Sequence, residues 1–221
     1  MGPAEIKALQ QRLTDAGCYK AAIDGVSGAP IDTAIKSCPD QQAFLRIETG
    51  MHTAPITRIG VDDACRLLAT ASWDKTVRLW SLPDGKLKRV VRLPIGEGHA
   101  GKLFAAALSR DGRWLAAGGY DATWDKMFRA SLTVVDLSNG AIRRFGSFEQ
   151  VIDSVAFSPD RRRIAVGLYG KSGVRVLDSE TGAELFADRN YGDTVYGLTF
   201  TPAGALIHQV STVNYAATGS R

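Results

Sequence analysis

Leu67-Leu68-Ala69-Thr70-Ala71-Ser72-Trp73-Asp74-Lys75-Thr76-Val77-Arg78-Leu79-Trp80-Ser81-Leu82-Pro83-Asp84-Gly85 is the stretch that decides the fold. Two short apolar runs, one rich in small residues and one in β-branched and aromatic residues, flank a polar turn and end at Pro-Asp-Gly. That order reads as strand, turn, strand, turn. Moving outward, it recurs. Trp114-Leu115-Ala116-Ala117-Gly118-Gly119 is followed by Leu132-Thr133-Val134-Val135-Asp136 and Ser138-Asn139-Gly140. Ile164-Ala165-Val166-Gly167 is followed by Val174-Arg175-Val176-Leu177-Asp178 and Glu180-Thr181-Gly182. A further copy begins at Val195-Tyr196-Gly197-Leu198-Thr199-Phe200-Thr201-Pro202 and then loses the pattern. Gly85, Gly140 and Gly182 are spaced 55 and 42 residues apart, and Trp80, Val135 and Leu177 repeat that spacing.

Short strands with regular turns at this period predict the blades of a β-propeller. The segments resemble the WD-repeat family over about residues 43–210. In that family a hydrogen-bonded tetrad ties each turn to its blade. The resemblance implies that His52, Ser72, Asp74 and Trp80 form it in the first repeat. The second repeat keeps His99 and Asp121, with Gly119 for the serine and Val135 for the tryptophan; the third keeps little beyond Asp178. These residues are structural in the family, so the resemblance implies no catalysis by them. The expected fold class is mainly β: an incomplete β-propeller of four-stranded antiparallel blades with a small α-helical N-terminal domain. The expected blades are about 52–97, 98–147 and 148–189, with a partial one at 190–221.

Residues 1–42 read differently. Ile6, Leu9 and Leu13 recur at helical spacing, Gly17 ends that helix, and a second helix carries Ile31, Ala34 and Ile35 before Pro39. Leu9-Gln10, Gly17-Cys18-Tyr19, Asp24-Gly25-Val26-Ser27-Gly28 and Ala34-Ile35 resemble the peptidoglycan-binding-like family over residues 5–40. That family closes with an aromatic-Gln pair where this chain has Ser37-Cys38-Pro39. Cys18 and Cys38 end the two helices. A disulfide between them, closing a loop of about 20 residues, is one reading, and two buried free thiols are the other. Cys65 is expected in the core of a strand.

Three and a half repeats do not close a ring, since four to eight blades are typical. The chain is therefore expected to be part of a longer protein, a truncated reading frame, or a chain that closes its ring by oligomerising through open blade edges. A similar combination of units occurs in larger bacterial multidomain proteins, some with a caspase-like peptidase domain upstream.

Composition narrows the function classes. The 221 residues are 45% hydrophobic, enough for a real core. The 27 basic and 23 acidic residues leave a net charge of +4, too small to argue nucleic-acid binding. The basic run Arg161-Arg162-Arg163 follows Ser158-Pro159-Asp160 and reads as a solvated turn. No membrane insertion and no signal peptide are expected, which predicts a cytoplasmic chain unless the parent protein carries an export signal. Gly96-Glu97-Gly98-His99-Ala100-Gly101 fits a dinucleotide fingerprint, but only seven residues follow before the next turn, too few for the helix such a site needs. No cofactor, no metal and no enzyme activity are expected.

Aromatic residues carry the functional reading. Trp73, Tyr120 and Tyr169 occupy one repeat position, on the turn after the second strand. In the resembled family that turn lies on the top face beside the channel, where large aromatics anchor partners. The second repeat enlarges this turn around residues 122–130, adding Trp124 and Phe128. The expected function is a non-catalytic interaction scaffold holding a protein or peptide through Trp73, Tyr120, Trp124, Phe128 and Tyr169. The alternatives are a cell-envelope protein binding peptidoglycan through residues 5–40, and a regulatory segment of a larger peptidase.

Overall fold

The computed structural model describes residues 2–15, 19–37, 50–121 and 129–210. The chain divides into two compact units, Met1–Thr49 and Gly50–Arg221.

In the first unit, α1 spans Pro3–Asp15 and α2 spans Ala29–Ser37. Proline opens α1, where a missing N–H costs nothing, and Gly2 N–H donates to the Glu5 carboxylate at 2.8 Å. Ile6, Leu13, Tyr19, Ile31 and Ala34 form a small core with Leu9 against it. Gln10, fully buried beside that core, organises the segment between the helices. Its amide donates to Tyr19 Oη, Asp24 Oδ1 and Val26 O, and its carbonyl accepts the Gly25 N–H at 2.8 Å. The Leu-Gln, Tyr and Asp-Gly motif residues thus share one buried network. That network accounts for them architecturally, because each buried polar atom needs a partner. Cys18 and Cys38 lie outside the described residues, as do Gly17 and Pro39.

The second unit is built of antiparallel meanders. The first sheet is β1 (Ile56–Val61), β2 (Leu67–Ser72), β3 (Thr76–Ser81) and β4 (Leu87–Arg92). The second is β5 (Leu103–Leu108), β6 (Trp114–Gly119), β7 (Ala130–Asp136) and β8 (Ile142–Phe148). The third is β9 (Ile152–Phe157), β10 (Arg163–Leu168), β11 (Val174–Asp178) and β12 (Glu184–Asp188). A ladder of β13 (Val195–Phe200) and β14 (Leu206–Val210) follows. In each sheet neighbouring strands are consecutive in sequence. The fold is mainly β, made of four-stranded propeller blades, and the first unit is small and helical.

The blades stack through alternating side chains. Ala69, Ala71, Val77 and Leu79 of the first sheet pack on Leu103, Leu115, Ala117 and Val135 of the second. Ala116, Leu132 and Val134, on the opposite face of the second sheet, pack on Ile152, Ile164, Val166 and Leu177 of the third. A strand buried on both faces reads as a continuous apolar run, which explains the Ala-rich second strands. The first strands β1, β5, β9 and β13 lie side by side, each next to that of the following sheet. Thr57 Oγ1 donates to Leu103 O at 2.8 Å, and Ser154 Oγ donates to Val195 O at 2.7 Å, fastening them.

That close stacking demands small residues on the second strands. A Cβ on Gly118 would lie 2.6 Å from the Ile152 side chain in the next sheet. Gly118→Val is therefore expected to cost about 1–3 kcal/mol by overpacking, read as a lower urea midpoint with an unchanged slope.

Cys65 departs from the sequence expectation. It is exposed, with φ +50°, in the turn between β1 and β2. The turn closes there because the Asp62 carboxylate accepts the Arg66 and Leu67 N–H groups at 2.7 and 2.8 Å. Arg161 does sit in a turn, with φ +60°. Among the described residues no helix is long and apolar enough to cross a membrane.

Candidate interaction surface

The first sheet holds a connected polar chain between its leading loop and its strands. The Trp80 indole N–H donates to Thr70 Oγ1 at 2.8 Å, and Thr70 Oγ1 lies 2.7 Å from His52 Nε2. His52 Nδ1 lies 2.7 Å from the Asp74 carboxylate. The donors agree if Nδ1 carries the proton: indole to hydroxyl, hydroxyl to Nε2, Nδ1–H to carboxylate. Burial would raise the Asp74 pKa, but hydrogen bonds from Thr76, His52 and the Thr53 N–H outweigh it and hold it below the ordinary carboxylate range.

His52, Asp74 and Trp80 are thus joined as expected, but the hydroxyl is Thr70 and not Ser72. Register is the reason. Trp80 lies opposite Leu68, so Thr70 is its diagonal neighbour on the same face, while Ser72 is four residues along. Ser72 instead donates to Ala54 O at 3.0 Å and accepts the Asp74 N–H at 3.0 Å.

The second sheet does not repeat this chain. Asp121 is bound by Arg144 and by the Ser131 hydroxyl, while His99 is exposed and stacks on Tyr120, with ring centroids 5.5 Å apart. The expected His99–Asp121 pair is replaced because Ala117 stands where Thr70 would and Val135 where Trp80 would. Without that hydroxyl and indole, nothing holds the imidazole inward. Ser131 keeps the role of Thr76, and the cation comes from the outer strand β8.

In the third sheet the tie is ionic. Arg175, 1% exposed, donates to Glu149 Oε1 at 2.9 Å, to Ser172 O at 2.7 Å and to Val174 O at 3.1 Å, with Glu184 at 3.5 Å. Glu149 precedes β9 much as His52 precedes β1. The sequence reading missed this pair. An arginine inside the apolar run Val174-Arg175-Val176-Leu177 was the available signal.

The family described as WD domain, G-beta repeat matches residues 46–81 and 90–125. Two stretches of this chain, in the first and second sheets, are thus similar to WD repeats. The second match ends at residue 125, before β7 begins. Among WD-repeat relatives, "Small ribosomal subunit protein RACK1y" of Oryza sativa subsp. japonica is 30% identical over 52% of the chain and 30% of its own length. "Transducin beta-like protein 2" of Mus musculus is 24% identical over 71% of the chain and 46% of its own length. "Guanine nucleotide-binding protein subunit beta" of Arabidopsis thaliana is 27% identical over 63% of the chain and 37% of its own length. The chain thus spans less than half the length of these curated relatives.

Each four-stranded sheet presents the same turn after its second strand. Trp73 N–H donates to Pro55 O at 3.2 Å, Tyr120 N–H to Lys102 O at 2.9 Å, and Tyr169 N–H to Val151 O at 2.9 Å. One backbone bond, made three times, puts the three aromatics at equivalent places beside the starts of the first strands. Trp73 is 38% exposed and Tyr169 54%. Trp73 packs on Phe104 at 5.7 Å, Phe104 on Tyr120 at 5.3 Å, and Lys102 Nζ lies 5.1 Å from the Trp73 ring. Tyr120 and Tyr169 line one cavity of about 380 Å³ with Thr57, Arg58, Phe104, Val151, Asp153 and Tyr196. Trp124 and Phe128 lie outside the described residues.

Phe104, Asp153 and Tyr196 were not singled out from the sequence. With Thr57 they share the second position of β1, β5, β9 and β13, and so line that cavity together. Aligning the first strands rather than the turns would have exposed them. Among the described residues no group of His, Cys, Asp and Glu could hold a metal ion.

Proposed function

We propose that this chain is a non-catalytic protein-interaction scaffold that holds a peptide or protein on the face bearing Trp73, Tyr120 and Tyr169. The observation that carries the reading is the continuity of that face. Three aromatics from three successive four-stranded sheets form one surface, with Phe104 bridging Trp73 to Tyr120 and a cavity joining Tyr120 to Tyr169. Half-exposed rings on rigid turns offer large contact area at low entropic cost, which is what interface anchors require. The names of the relatives support it: two are subunits of larger assemblies, one ribosomal and one of a guanine nucleotide-binding protein.

The test is selection of peptides on the immobilised 221-residue chain from a displayed library, followed by titration of the best binder. Trp73→Ala combined with Tyr120→Ala is expected to weaken that peptide by about 2 kcal/mol, roughly 30-fold. Unchanged affinity for the double variant and for Tyr169→Ala removes this face as the binding surface.

A further inference from the structure

Asp153 is an odd residue to find where it is. It is the second residue of β9, between Ile152 and Ser154, and its side chain is only 9% exposed. Its Oδ2 is buried without a hydrogen-bond partner among the described residues. The nearest cation, Arg58, does not satisfy it. The Arg58 Nη2 donates to the Asp153 carbonyl oxygen at 2.8 Å and stands 3.5 Å from Oδ2, and its Nε reaches Phe104 O at 3.4 Å. The guanidinium is thus spent chiefly on main-chain carbonyls. A buried carboxylate oxygen left without a hydrogen bond is costly, and such atoms are rare in folded proteins.

The walls around it have a matching character. Phe104, Tyr120, Tyr169 and Tyr196 line the same cavity, and aromatic faces present negative potential to whatever enters. A cation is attracted to such faces, more strongly when it is desolvated. An anion would meet four rings and a carboxylate, and the Arg58 guanidinium that also lines the cavity is already engaged with two main-chain carbonyls. A neutral apolar group would leave the carboxylate without a hydrogen-bond donor. A cavity of about 380 Å³ is ample for one long side chain.

We propose that this cavity takes a cationic side chain, an ammonium or guanidinium carried by a partner peptide, with the Asp153 carboxylate accepting its hydrogen bond and the four rings enclosing its stem. The inference rests on the interaction face proposed above and names the chemistry that face selects.

The test uses the whole 221-residue chain and small probes, so that it does not depend on finding the partner. Nα-acetyl-lysine N-methylamide, the arginine analogue, the leucine analogue and the glutamate analogue are titrated by NMR, following the amides of residues 152–154 and the tyrosine rings. The lysine or arginine probe is expected to bind with a millimolar Kd and to shift these signals. The leucine and glutamate probes are expected to bind at least tenfold more weakly. Asp153→Asn, with its fold checked by circular dichroism, is expected to weaken the cationic probe at least tenfold. Tyr169→Ala is expected to weaken it severalfold with Asp153 intact. Equal binding by Asp153→Asn, preference for the leucine or glutamate probe, or no binding by either cationic probe overturns the proposal. The two readings fail separately. A selected peptide that needs Trp73 and Tyr120 but ignores Asp153→Asn removes the cation site and leaves the face. A cationic probe held by Asp153 while selected peptides ignore the aromatics removes the face and leaves the cavity.

Discussion

Arg175→Ala is expected to cost about 3–5 kcal/mol of unfolding free energy, more than the overpacking at Gly118. Arg175 is among the largest fully buried side chains, and it satisfies Ser172 O, Val174 O and Glu149 together. Truncation opens a cavity in the third sheet's packing and strips two carbonyls of their donor. Glu149 and Glu184 contribute less to the loss, because each is nearly half exposed and can recover water. Arg175→Met separates the two parts. It keeps most of the volume, so it is expected to lose about 1–2 kcal/mol, the share owed to polar partners. Urea unfolding of both variants decides the matter. Equal losses would mean that charge pairing, not packing, makes Arg175 necessary.

Thr70→Val is expected to cost about 2–4 kcal/mol, against about 1 kcal/mol for Ser72→Ala. Valine matches threonine in shape, so packing changes little. What goes is the hydroxyl that accepts from Trp80 and meets His52, leaving the indole N–H and His52 Nε2 without that partner. Ser72→Ala removes one donor to Ala54 O and one acceptor beside the Asp74 N–H, at the end of a strand where other bonds remain. The ordering of the two losses tests whether Thr70 or Ser72 completes the chain from Trp80 to Asp74. A larger loss for Ser72→Ala would reverse the assignment.

These residues also show what the sequence could and could not disclose. The strands were legible because each second strand is apolar on both faces and each ends at a turn residue with a fixed chemistry. The aromatic position after β2, β6 and β10 was legible because repetition in register needs no contacts to be seen. The identity of the hydroxyl was not. It depends on which residue of β2 lies diagonal to Trp80, a fact of strand register that spacing to His52 and Asp74 leaves open. His99 and Asp121 kept the spacing of His52 and Asp74, yet Ala117 and Val135 removed the atoms that would hold the imidazole. Spacing survived while the network changed. Arg175 and Asp153 were missed for a common reason: a charged residue in a strand reads as solvent-facing until a neighbouring sheet covers it. Gln10 was missed as well, since helical periodicity counts apolar positions and passes over a buried amide.

Each four-stranded sheet is a simple meander, every strand bonded to the strand just made. Pairing within a sheet never waits for a distant segment, so contact order inside a sheet is low. A nascent chain leaving the ribosome can zip one meander before the next is translated, and each finished sheet then offers an apolar face as a template for its successor. The side chains that cross between sheets, Thr57 to Leu103, Arg58 to Asp153 and Ser154 to Val195, would set in that same order. Synthesis from the N-terminus and assembly of the blades therefore run in one direction.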